Sequence, residues 1–175
     1  MKILLDERQI SEILDTISQE IASDLGSNNN LVIIGIRSRG EILAQRLRQR
    51  LSKLLDKEIP CGTLDITLYR DDIHDPQKAV PAQVRTTEID FDIHQTTVLL
   101  VDDVLHTGRS VRAAMDALTD LGRPKAIRLA VLVDRGSREL PIRADYVGIR
   151  ADVGPNERVQ VLLKETDQIE QVIVE

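Results

Sequence analysis

Two adjacent carboxylates, Asp102 and Asp103, close an apolar run, Val98-Leu99-Leu100-Val101, and lead into His106-Thr107-Gly108-Arg109-Ser110. Val111, Ala114, Met115 and Leu118 then recur at helical spacing, so the Thr-Gly-Arg-Ser stretch stands where a helix begins. A helix N-terminus presents unpaired N–H groups and partial positive charge, and with hydroxyls and a glycine beside it forms a phosphate cradle. Paired acids next to such a cradle suit a phosphosugar whose hydroxyls donate to the carboxylates. A second loop, Arg37-Ser38-Arg39-Gly40, follows the run Leu31–Ile36 and precedes another helical stretch. Two cations and a glycine suit an anion more negative than a single phosphate. Taken singly, each feature has an ordinary alternative: an edge turn, a plain N-cap, solvated surface charges. The ordered combination is what points to a site.

The elements that must position these residues follow from periodicity. Leu31–Ile36, Val98–Val101 and Ile127–Val133 are short apolar runs of the kind found in strands covered on both faces. Residues from Leu5 to Leu25 carry an apolar stripe through Ile10, Leu14, Ile17 and Ile21, which predicts a helix with Gly26 as its C-cap. A second helix is predicted from Gly40 to about Leu55, and a third to Leu121, stopped by Gly122-Arg123-Pro124. Cys61 to Tyr69 alternates like a strand, and Tyr146–Gly148, Val159–Leu163 and Val172–Val174 read as further short strands. Strands alternating with helices predict an α/β domain with a mostly parallel sheet covered on both sides. Residues from Arg70 to Pro81 are polar and breaker-rich, as in a flexible lid loop that excludes water, and Val84–Ile89 is its expected returning arm.

With 175 residues the chain suits one domain. A net charge of −6 gives no global field for nucleic acid, and 2% aromatics offer little base stacking. The single Cys61 excludes an intrachain disulfide and a cysteine zinc cluster, and reads as a small buried hydrophobe. No stretch looks like a signal peptide or a membrane span, so no membrane partner and a cytoplasmic location are expected.

The run Asp102–Ser110 resembles the 5-phosphoribosyl diphosphate (PRPP) signature of the type I phosphoribosyltransferases. The likeness extends to Asp65–Asp72, Gly122-Arg123-Pro124, Ala130–Gly136 and Arg138–Gly148. Together these blocks resemble one subfamily, the bifunctional pyrimidine-operon regulators that are also uracil phosphoribosyltransferases. The resemblance implies the type I fold as a single domain, 1–175, with a lid at about 70–90 and a small hood at about 134–175. It implies transfer of the phosphoribosyl group from PRPP to uracil, giving UMP and diphosphate, with Mg²⁺ bound alongside PRPP. The implied catalytic residues are Asp103, Arg70 and Asp71. Ser38, Arg39 and Gly40 would hold diphosphate, Asp102 and Asp103 the ribose, and His106, Thr107, Gly108, Arg109 and Ser110 the 5′-phosphate. Asp71, Asp102 and Asp103 would meet the metal, indirectly or through substrate. The base would lie near Arg135, Gly136, Tyr146 and Val147, with a surface cation as the alternative for Arg135 and core packing for Tyr146.

The family also implies UMP or UTP as effectors, a homodimer or homotetramer, and binding of a pyrimidine-operon leader mRNA through residues such as Arg138 and Arg143, whose alternative role is structural. The apolar first helix is a candidate assembly surface. The chain departs from the regulators on that RNA surface. Asp15 and Gln19 stand where they carry Thr and His, Ser137 replaces a His, and Ile149 replaces a Lys. Lost attraction and added repulsion toward phosphate predict weak RNA affinity. The alternative functions are a non-enzymatic RNA-binding attenuator that senses UMP or PRPP, and a phosphoribosyltransferase for another base.

Overall fold

The chain opens with strand β1 (Lys2–Asp6) and helix α1 (Glu7–Leu25), then alternates β2 (Leu31–Ile36), α2 (Arg39–Leu55), β3 (Cys61–Leu64), β4 (Thr97–Leu105), α3 (Arg109–Leu121), β5 (Ala126–Asp134) and β6 (Tyr146–Arg150). It ends with β7 (Val159–Leu162), a single helical turn α4 (Lys164–Asp167) and β8 (Gln171–Val174). This computed structural model describes residues 1–72 and 85–175.

Five strands form a wholly parallel sheet in the order β3-β2-β4-β5-β6. Successive side chains of a strand point to opposite faces, and that splits each strand between two cores. Leu31, Ile33, Leu99, Val101, Ala130 and Leu132 pack with Leu14, Ile17, Leu43 and Leu47 of α1 and α2. Val32, Ile34, Ile36, Val98, Leu100 and Val131 pack with Val111, Ala114 and Leu118 of α3. The neighbours β2 and β4 send their following helices to opposite faces. Their carboxyl ends therefore diverge and leave a crevice, where open α/β sheets bind ligands. A parallel sheet with helices on both faces is what the resemblance to the type I phosphoribosyltransferases implied.

A second, antiparallel sheet has the order β1-β8-β7. Its first strand corrects the expectation of a helix from Leu5. Leu5 pairs with Val172, and Asp6 caps the helix by accepting from the Gln9 N–H at 2.8 Å, while Gln9 Oε1 accepts from the Asp6 N–H at 2.9 Å. The hood-like sheet thus draws a strand from outside residues 134–175. The strand expected from Cys61 to Tyr69 stops at Leu64. Asp65 Oδ1 accepts from both the N–H and the hydroxyl of Thr67, and this Asx turn starts a 3-10 turn at Thr67–Tyr69. Residues 73–84, most of the expected lid, lie outside the described residues. Of the expected returning arm, Glu88 makes one isolated antiparallel bridge with Thr63. The stripe of α1 is buried within the chain (Ile10 and Ile21 are fully covered), so it is not an exposed assembly surface. Among the described residues no helix is long and apolar enough to cross a membrane.

Candidate active site

At the carboxyl ends of β2 and β4 lies a cleft of about 350 Å³, lined by Arg37, Ser38, Arg39, Asp65, Thr67, Arg70, Asp102, Asp103, Ser110 and Arg158, among others. Larger grooves of about 460 and 470 Å³ run along α1 and α2. Their arginines are already paired, Arg46 with Glu165 and Glu170, and Arg50 with Asp15. The smaller cleft is the one in which polar groups converge.

Asp102 ends the fully buried part of β4 and is itself only 8% exposed. Burial, with the Asp103 charge beside it, raises its carboxyl well above the ordinary value. Asp102 Oδ1 accepts from the Asp103 N–H, and Asp103 Oδ1 accepts from the Val104 N–H, each at 2.9 Å. The two acids thus have different surroundings, one dry and one partly open. The phosphate loop follows. Gly108 has φ +93°, a conformation glycine alone adopts freely, and a Cβ there would lie 3.3 Å from Ile142. The Thr107 carbonyl accepts from the N–H groups of Glu139 and Leu140, tying the loop to the segment after β5. Of this loop and the first turn of α3, Ser110 lines the cleft.

The β2–α2 loop approaches from the other side. A Cβ on Gly40 would meet the Val101 carbonyl at 2.5 Å, so only glycine lets α2 start this close to the acid pair. The Arg37–Ser38 peptide is cis. Arg37 lines the cleft but is spent on neighbours, its Nε donating to the Thr86 carbonyl at 2.7 Å and its Nη1 pairing with Glu41 at 2.8 Å. Arg39 stays at the cleft, with Nη2 donating to Asp167 Oδ1 at 2.8 Å.

The structure brings Ser38, Arg39, Arg70, Asp102, Asp103 and Ser110 to one cleft, with Gly40 packed behind the acids. Arg70 makes a two-pronged pair with Asp72. Asp71 stands apart from the acid pair. It binds Arg109 at 2.5 Å and lies 3.7 Å from Arg112, while Arg109 also pairs with Glu139 at 2.6 Å. Asp71 does not line the cleft that holds Asp102 and Asp103.

Arg135 is 8% exposed, against the surface-cation alternative. It donates to the Glu157 carbonyl at 2.7 Å and contacts His106, holding the 154–157 turn against the end of β5. Desolvation and the Arg135 charge lower the His106 pKa from its ordinary value. Gly136 has φ +76° with open space where a side chain would be. Tyr146 is a core residue on the α1 side, the packing alternative rather than the base-binding one. Burial, with Asp24 near its hydroxyl, pushes it up to about 12. Val147 packs half-buried on the α3 side. Arg138 spends its donors inside the chain, on the carbonyls of Ile142 and His106 and on Asp134. Arg143 is exposed. Cys61 is half-buried, and burial pushes its thiol up to about 11, away from nucleophilic use.

Three cleft residues escaped the sequence reading. Asp65 stood within a recognised block but read as the polar side of a strand, and Thr67 with it. Arg158 follows a turn, and no local signal marks it as facing the cleft. Among the described residues no three His, Cys, Asp or Glu side chains form a metal cage.

A family model for the phosphoribosyl transferase domain matches residues 1–163. The bifunctional protein PyrR of Bacillus cereus (strain AH820) is 52% identical over 172 residues, 98% of this chain and 96% of that protein. That of Bacillus mycoides (strain KBAB4) is 51% identical over the same shares. The crystal structure of the hypoxanthine phosphoribosyltransferase of Trypanosoma cruzi superposes with a TM-score of 0.74 at 21% identity, over 99% of this chain and 95% of that one. The Staphylococcus aureus enzyme of the same name gives 0.68 at 21%, over 98% and 90%. At that identity the structural likeness speaks for the fold alone. With the domain model and near-full-length relatives in agreement, the chain belongs to the phosphoribosyl transferase domain family and, within it, to the bifunctional PyrR proteins.

Proposed function

We propose that the chain transfers the phosphoribosyl group of PRPP to uracil, giving UMP and diphosphate. The observation that carries this reading is the pairing of a buried and an open carboxylate at the end of β4, between an α3 phosphate cradle and a cationic loop. Asp102 and Asp103 accept from the ribose hydroxyls. The Gly108–Ser110 amides and hydroxyls hold the 5′-phosphate. Arg39, the Ser38–Gly40 backbone and Arg70 face the diphosphate. As the bond at C1 breaks, positive charge grows on the sugar and negative charge on the leaving group. The carboxylates stabilise the first and the cations the second, in a cleft shaped before substrate arrives. Bound with PRPP, Mg²⁺ would be met by Asp71, Asp102 and Asp103 indirectly or through substrate, and would supply further neutralisation of the diphosphate. It keeps several waters and needs few protein ligands, so an acid pair without a cage suits it. Asp103, the more open acid, is the group placed to accept a proton. The base is proposed to lie against Gly136, where there is open space, with Arg135 holding the hood turn rather than touching the base.

UMP formation from uracil, PRPP and Mg²⁺, followed by chromatography, tests the reaction. Turnover with hypoxanthine but not uracil would favour the other-base alternative, and UMP binding without turnover the sensor.

The relatives are named as bifunctional proteins, and leader mRNA binding responsive to UMP or UTP is the proposed second activity, expected to be weak here. Asp15 neutralises Arg50 at 2.7 Å, and Arg138 is consumed internally. Filter binding of a leader transcript with UMP present is expected to show no tight complex, whereas Asp15→Thr with Ile149→Lys strengthens it. A cytoplasmic homodimer or homotetramer completes the reading, checked by light scattering.

A further inference from the structure

We infer that Asp167, on the turn between β7 and β8, is a positioning residue that holds the Arg39 guanidinium at the diphosphate side of the cleft. The inference rests on the transferase reading above and deepens it. Arg39 Nη2 donates to Asp167 Oδ1 at 2.8 Å, with the two side chains 27% and 18% exposed. The other carboxylate oxygen, Oδ2, accepts from the Leu163 N–H at 2.9 Å and from the Thr166 hydroxyl at 2.8 Å. Both oxygens are therefore fixed, one by the backbone of the hood and one by the arginine. Burial opposes the carboxylate's charge, but these donors and Arg39 outweigh it and keep Asp167 below the ordinary value. Asp167 is thus a rigid anion.

An arginine side chain is long and rotamer-rich, and ordering it on ligand binding costs affinity. Here that ordering is done before the ligand arrives. Arg39 also keeps a buried Nε that has no acceptor among the described residues, on the guanidinium that lines the cleft. The contact spans 128 positions of sequence, so it couples the diphosphate loop to the hood.

Simple docking of the hood onto α2 is the competing explanation, and the structure supplies its own control. Arg46, two turns along α2, is bound to Glu170 at 2.6 Å and to Glu165 at 2.8 Å, yet it does not line the cleft. Both arginines dock the same segment, and only one ends in the site.

The test compares wild type, Asp167→Asn and Glu170→Gln by initial-rate kinetics of UMP synthesis and by calorimetric titration with magnesium diphosphate without uracil. Asp167→Asn is expected to raise the KM for PRPP and the Kd for diphosphate about tenfold, the low end of what losing an orienting partner costs. The KM for uracil should stay within about twofold, as for independent sites. Glu170→Gln should lower the melting temperature and move neither constant. Equal weakening in both variants, or no weakening in Asp167→Asn, overturns the inference. If Asp167→Asn shows no cooperative melting, Thr166→Val, which removes one donor from the carboxylate, must shift the same two constants in the same direction or the inference fails. Wild-type protein that makes no UMP while Asp167→Asn still weakens diphosphate binding would sink the transferase reading and leave the positioning role standing.

Discussion

The two loops that face each other across the cleft are built on opposite plans. In the β4–α3 loop the two acids are oriented within their own sequence neighbourhood, and only the turn that follows them, at Thr107, is braced from the segment after β5. Asp102 and Asp103 are oriented by the next backbone N–H, and Gly108 makes the turn into α3. The β2–α2 loop is assembled from afar. Arg37 is held by Thr86 and Arg39 by Asp167 in the hood, while Gly40 is pressed against the Val101 carbonyl. A locally specified loop can be recognised as a motif. A remotely specified one shows only its composition, because its geometry depends on residues that a linear reading cannot pair with it.

Breaking the local loop should have the largest effect. Asp103→Asn removes the open carboxylate and its capacity to take a proton, and is expected to lower kcat for UMP synthesis by about 10³-fold, within the usual range for a positioned acid or base. An unchanged rate would remove Asp103 from the chemistry. Next come the two glycines. Gly40→Ala must displace a backbone carbonyl only 2.5 Å from the new Cβ, and should cost about 3 kcal/mol in urea unfolding. Gly108→Ala meets only a side chain at 3.3 Å but keeps φ +93°, and should cost about 1.5 kcal/mol. The reverse order would mean that the remote loop is the softer of the two.

The smallest effects sharpen the comparison through pH. Burial and Asp103 raise Asp102 above its ordinary 3.8, so between that value and the raised one the folded state binds more protons than the unfolded chain. That contribution to stability falls as pH rises through the window. Asp167 is lowered, so its contribution is present above the unfolded value and is lost as pH falls through the folded one. The two loops thus respond to pH in opposite senses. Urea midpoints measured between about pH 4 and pH 7 should decline less steeply with rising pH in Asp102→Asn. At more acid pH, Asp167→Asn should flatten the acid-side loss. Parallel slopes in both variants would contradict the electrostatic difference.

Much of the fold was legible because apolar periodicity reports burial directly. The runs Leu31–Ile36 and Val98–Val101 became central strands, and the stripes through Leu43–Leu51 and Val111–Leu118 became the helices that cover them. The start of the chain was misread because Leu5 fits a helical stripe as well as a strand, and only its pairing with Val172 decides for the strand. Arg135 and Tyr146 were ambiguous for a similar reason. A residue type does not say whether the space beside it is filled, and here the 154–157 turn and α1 fill it.

By itself the sequence determined the local chemistry: which strands end in acids, which helix starts carry hydroxyls or cations, and which faces are apolar. Each of these is set by neighbours within a turn or two of chain. The tertiary structure alone decided which charges are spent on each other and which remain for a ligand. Arg138 was drawn inward, Asp71 was paired with Arg109, and Asp167 was brought to Arg39 across 128 positions. The physical reason is that a charge interacts by distance in space, and only the packing of the hood against the sheet sets those distances.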